Sequence, residues 1–99
     1  MKTNSLTEIK KILTDEKRNL DYKYGVSKIG VFGSFVFGDF RKNSDIDILV
    51  EFKKPVGLFK FIELENYLSE KLGKKVDLVS KDGLKKYIKR DILESTIYA

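Results

Sequence analysis

The spacing of apolar side chains divides the chain into alternating helical and strand-like segments. Ser5-Leu6-Thr7-Glu8 has the form of a helix start, a hydroxyl residue followed three positions later by a carboxylate. Ile9, Ile12, Leu13 and Leu20 then recur on one helical face, and Gly25 stands where the helix would stop. Ser27 to Phe32 reads as a short strand ending at Gly33-Ser34. Phe35 to Phe40, interrupted by Gly38, reads as one or two helical turns. From Asp45 to Phe52 the alternation is strict: Asp45, Asp47, Leu49 and Glu51 fall on one strand face, Ile46, Ile48, Val50 and Phe52 on the other. Lys53-Lys54-Pro55 breaks this strand. Leu58, Phe61, Ile62, Glu65, Leu68 and Leu72 follow helical spacing up to Gly73, a glycine cap by position. Lys75 to Ser80 is a third strand, with Val76 and Leu78 opposite Asp77 and Val79. Leu84, Tyr87, Ile88 and Ile92 outline a last amphipathic helix.

Three strands beside about four helices predict an α/β (α+β) fold, a three-stranded mixed sheet with one face covered. The 99 residues suit a single domain over 1–99, with neither repeat nor linker. At 41% apolar and 35% charged residues, the composition is that of a folded globular chain. Cys and His are absent, which removes disulfides, thiol nucleophiles, the commonest general base and the usual zinc ligands. Chemistry here must run on carboxylates, hydroxyls, Lys, Arg, backbone amides and hard cations. No apolar stretch approaches the ~20 residues of a membrane span, and Met1 to Lys11 lacks a signal-peptide core. A cytoplasmic location is expected, with no membrane partner. The net charge of +5 is a mild basic bias.

Two features carry candidate chemistry. Gly33-Ser34 lies where a strand turns into a helix; Gly permits close backbone approach to a ligand, and early helix amides with a hydroxyl suit a phosphate. A glycine turn with a serine N-cap is the ordinary alternative. Asp45-Ile46-Asp47 projects two carboxylates from one strand face with Cα atoms about 6.5–7 Å apart. Such a pair repels itself unless a cation lies between, and hard-oxygen ligation suits Mg²⁺; an exposed charged strand face is the alternative. Asp77 joins the cluster if its strand pairs beside Asp45–Phe52, and is otherwise an edge charge that discourages aggregation. A Gly-Ser, ten residues, then Asp-x-Asp arises by chance in roughly 3 of 1000 chains of this composition. The Lys-rich last helix, Lys81, Lys85, Lys86, Lys89 and Arg90, reads as a solvated face. The tyrosines lack the spacing of an RNA-stacking sheet, so direct nucleic-acid binding is not expected.

The segment from Gly33 through Asp45-Ile-Asp47 to Phe52 resembles the signature of the minimal nucleotidyltransferases of the DNA polymerase β-like superfamily. These include the MntA-like antitoxins of HEPN–MNT toxin–antitoxin pairs. Lys75-Val-Asp-Leu-Val79 and Ile92-Leu-Glu-Ser-Thr-Ile-Tyr98 are also similar to that family. The resemblance implies that Gly33 and Ser34 bind the triphosphate and that Arg41 lies near it. It implies that Asp45 and Asp47 hold Mg²⁺, as one or two ions, and that Asp77 helps hold the metal or activates the acceptor hydroxyl. The implied activity is transfer of AMP from ATP to a Tyr of a cognate HEPN toxin RNase, with release of pyrophosphate. A binding module that neutralises its partner by occlusion is the alternative. Phe37 is a departure, standing where many relatives carry Arg.

Overall fold

The computed structural model describes residues 5–38 and 45–99, without the Tyr87 side chain. Helix α1 spans Leu6–Tyr24. The Ser5 hydroxyl accepts the Glu8 N–H at 3.3 Å, satisfying one of the amides that a helix start leaves open. At the other end Gly25 takes φ 69°, a left-handed conformation that costs glycine little. Then follow β1 (Val26–Phe32), the single-turn α2 (Ser34–Phe37), β2 (Ile46–Phe52), α3 (Leu58–Leu72) and β3 (Val76–Ser80). A 3₁₀ turn at Lys81–Gly83, α4 (Lys86–Ser95) and β4 (Ile97–Tyr98) complete the chain. No helix among the described residues is long and apolar enough to cross a membrane.

The sheet order is β3-β2-β1-β4. β1 is antiparallel to both β2 and β4, and β2 is parallel to β3, so the sheet is mixed as expected. It has four strands among the described residues rather than three. The addition is Ile97-Tyr98, which pairs with Val31 and Gly30. Two residues are too few to leave an alternation in the sequence. The pairing also depends on a glycine across the sheet: a Cβ on Gly30 would lie 2.6 Å from Thr96 Cγ2 and 2.8 Å from the Ile97 carbonyl.

One sheet face carries the main core. Ile9, Leu13 and Leu20 of α1 and Leu64, Leu68 and Leu72 of α3 cluster with Ile29, Val31, Ile46, Ile48, Val50, Val76 and Leu78. The alternation in β2 and β3 is thus the alternation of buried and site-facing positions, although Leu49, on the aspartate face, is fully buried as well. Helix α3 buries Leu68 and Leu72 of the stripe its spacing suggested and packs Phe61 against the core, but the start of that stripe is exposed. Leu58 is 69% exposed and Ile62 43%, while Leu64 is fully buried. Packing against the sheet and α1 adds Leu64 to Leu68 and Leu72 as the buried residues of the helix.

Candidate active site

The site forms at the end of the sheet where β1 finishes and β2 and β3 begin. Three residues reach it by pairing alone. Phe32 stands opposite Asp47 in the β1–β2 ladder, and Asp47 stands opposite Asp77 in the β2–β3 ladder. Adjacent strands lie roughly 4.8 Å apart, so Asp77 and Asp47 are neighbours on one face. Val76 and Leu78 anchor the opposite face of β3 in the core, which leaves Asp77 exposed. Asp45, immediately before β2, is exposed too, while Asp47 is half-buried.

Gly33 follows directly from Phe32 and joins the turn to this carboxylate cluster. Its φ of 75° and ψ of −148° belong to a region that is essentially glycine's own. A Cβ placed on it would run into the Asp47 carboxylate and sit 3.0 Å from its Cγ. Substitution is therefore opposed both by backbone strain and by the carboxylate. Gly33 is also the N-cap of α2, its carbonyl accepting the Val36 N–H at 3.0 Å and the Phe37 N–H at 3.3 Å. Ser34 is thus the first residue of α2 rather than its cap. Phe35 turns inward and is buried, whereas Phe37 is 70% exposed at the end of the turn.

The electrostatics of Asp47 follow from this crowding. Burial, then the neighbouring charges of Asp77 and Asp45, push its carboxyl above the ordinary aspartate value. Among the described residues no hydrogen-bond donor offsets them. A cation would relieve both the desolvation and the repulsion, so the donor set fits a hard divalent ion. The described side chains do not by themselves converge into a three-ligand metal group. Mg²⁺ commonly takes one or two carboxylates and completes its shell with water and substrate phosphates.

Of the sequence-derived site residues, the structure brings Gly33, Ser34, Asp45, Asp47 and Asp77 to one end of the sheet. Arg41 lies outside the described residues, as do Phe40, Lys42 and Asn43. Lys74 was not singled out from the sequence. Its Nζ lies 6.0 Å from the centre of the Phe35 ring. Its position just before the strand that carries Asp77 was the available signal.

The family model described as a nucleotidyltransferase domain matches residues 6–99. The protein adenylyltransferase MntA of Thermococcus cleftensis is 49% identical over 94 residues, 95% of each chain. A solved structure named as a candidate minimal nucleotidyltransferase is 31% identical, with a TM-score of 0.72 over 92% of this chain and 88% of that one. A toxin–antitoxin crystal structure with AMP-PNP contains a chain 25% identical, with a TM-score of 0.71 over 96% of this chain and 72% of that one.

Proposed function

The chain belongs to the nucleotidyltransferase domain family, and from that premise we propose that it is a Mg²⁺-dependent protein adenylyltransferase acting as an antitoxin. Its substrate is ATP, and its acceptor is a Tyr hydroxyl of a cognate HEPN toxin RNase. The reading is supported by the name of the Thermococcus relative and by a toxin–antitoxin neighbour that carries AMP-PNP. The observation that carries the chemistry is the register that sets Asp77 beside Asp47, with the Gly33 backbone against the same carboxylate.

In the proposed reaction the acceptor oxygen attacks the α-phosphorus of ATP. A new O–P bond forms, the bond from that phosphorus to the oxygen bridging to the β-phosphate breaks, and pyrophosphate leaves. Gly33 and Ser34 take the β- and γ-phosphates, the former by close backbone approach and the latter by its hydroxyl, with Arg41 assigned beside them. Asp45, Asp47 and Asp77 are the groups that would hold Mg²⁺, which supplies charge neutralisation on the phosphates when bound. Asp77, exposed at the rim, would accept the acceptor's proton. Phosphoryl chemistry of this type depends on positioning and electrostatic stabilisation, so a chain without His or Cys is fully equipped for it.

The exposed Phe37 favours a second reading, in which the domain silences its partner by covering it. Label transfer separates the two. ATP labelled at the α-phosphate is compared with ATP labelled at the γ-phosphate, using the purified HEPN-domain partner, with Mg²⁺ or chelator and with Asp45→Asn as control. The expected result is Mg²⁺-dependent α-label on the partner that Asp45→Asn abolishes. Tight complex formation and partner inhibition without label would overturn transfer in favour of occlusion.

A further inference from the structure

Strand β3 is an edge of the sheet, yet two of its outer amides are capped by side chains. Successive residues of a strand direct their N–H and C=O groups to opposite sides. The Lys75 carbonyl accepts the Ile46 N–H at 2.9 Å, so Lys75, Asp77 and Val79 pair with β2, and Val76 and Leu78 point outward. These two amides end on side chains of α3. The Val76 N–H donates to Ser69 Oγ at 3.0 Å, and the Leu78 N–H donates to Glu65 Oε2 at 2.9 Å. The Ser69 hydroxyl in turn donates to the Glu65 carbonyl at 2.9 Å, which commits its proton and orients its lone pairs toward Val76. Glu65 and Ser69 are one helical turn apart and therefore neighbours on α3. Their bonds close on the residues either side of Asp77.

We propose that Glu65 and Ser69 are positioning residues for Asp77: they clamp the edge strand on both sides of it and so hold its carboxylate in register with Asp47. This rests on the reading of Asp77 as a catalytic group. The bond to Glu65 is charge-assisted and stronger than a neutral one. Without the clamp, β3 is held only by its ladder to β2 and its apolar contacts, and water can take the outer amides. The fold survives this, while the placement of Asp77 loosens. Reacting groups tolerate little displacement, about 1 Å costing up to 10²-fold in rate.

The test is steady-state transfer of α-labelled ATP to the HEPN-domain partner by Glu65→Ala, Glu65→Gln, Ser69→Ala and Asp77→Asn, each checked by thermal melting. We expect Glu65→Ala to lower kcat about tenfold to a hundredfold. The KM for ATP should stay within about twofold, because the triphosphate turn is untouched. Glu65→Gln should recover most of the rate, since its amide oxygen still accepts the Leu78 N–H. Ser69→Ala should shift kcat in the same direction and carries the comparison if Glu65→Ala does not fold. Wild-type kcat in Glu65→Ala and Ser69→Ala beside an inactive Asp77→Asn would overturn the clamp. So would a Glu65→Gln as impaired as Glu65→Ala. Wild-type activity in Asp77→Asn would instead overturn the reading of Asp77, and the clamp's purpose with it.

Discussion

Asp47 and Glu16 are both partly covered carboxylates, and their surroundings treat them in opposite ways. Glu16, on α1, is only 13% exposed. Burial alone would raise its pKa. Hydrogen bonds from Asn19 and Tyr67 and the charge of Lys71 outweigh burial and hold it below the usual glutamate value. Tyr67 Oη lies 3.0 Å from each carboxylate oxygen, Asn19 Nδ2 at 3.1 Å from Oε2 and Lys71 Nζ at 3.4 Å from Oε1. Asp47 has the reverse company: two aspartates, no donor among the described residues, and a glycine backbone pressed against it. Glu16 is a finished interaction that ties α1 to α3. Asp47 is an unfinished one among the described residues, with like charges beside it and no donor to offset them. Perturbed carboxylates lacking internal partners mark sites that bind, whereas satisfied ones mark places that hold.

The comparison breaks first at Asp47 itself. Asp47→Asn is expected to lower nucleotidyl transfer by about 10³-fold. It should not lower the melting temperature of the metal-free protein, because it removes repulsion and desolvation and breaks no side-chain bond among the described residues. A cooperative melt that drops sharply would show that Asp47 is structural, as Glu16 is.

Gly33→Ala should come next, with a stability cost of about 1–3 kcal/mol from its backbone region. Displacement of the Asp47 carboxylate should add a rate loss on the order of 10²-fold. Denaturant melts and transfer assays read the two separately, and full activity would dissociate the turn from the carboxylate.

Glu16→Ala should do the opposite of Asp47→Asn. It leaves the Tyr67 hydroxyl without its acceptor and should cost about 1–3 kcal/mol in urea unfolding. The kcat should stay within about twofold, since Glu16 lies outside the site.

The smallest effect is a pH dependence. Glu16 has a folded pKa below its unfolded value of 4.5, so its contribution is complete above that pH. It is lost as the pH falls through the lower folded value. Melting of the wild type should therefore weaken more steeply below pH 4.5 than melting of Glu16→Gln. Parallel curves would remove Glu16 from the account of acid stability.

Much of the site was legible because its signals are local. Asp45 and Asp47 share a face through two-residue periodicity, and Gly33 and Ser34 are adjacent in the chain. Asp77 was legible only as a condition, because nothing within its own strand says which strand lies beside it. The parallel register to β2 met that condition. The Glu16–Tyr67 bond joins residues 51 apart, and the clamp joins Leu78 to Glu65 across 13. Neither separation repeats with any period, so neither leaves a pattern to read. The spacing of α3 found Leu68 and Leu72 but missed Leu64 and included the exposed Leu58, because periodicity alone does not say where along the helix the sheet ends.

What the sequence determined alone was therefore set by near neighbours: the caps at Ser5, Gly25 and Gly73, the alternation of β2, and a turn only glycine can make at Gly33. Backbone sterics and side-chain periodicity act over a few residues and need no partner. Tertiary structure decided which faces meet. It buried Leu64 of α3 while leaving Leu58 exposed, added β4 beside Gly30, set Asp77 opposite Asp47 and brought Glu65 and Ser69 to the edge amides of β3. Those outcomes come from burying apolar area and satisfying backbone polar groups over the whole chain at once, so no local stretch contains them.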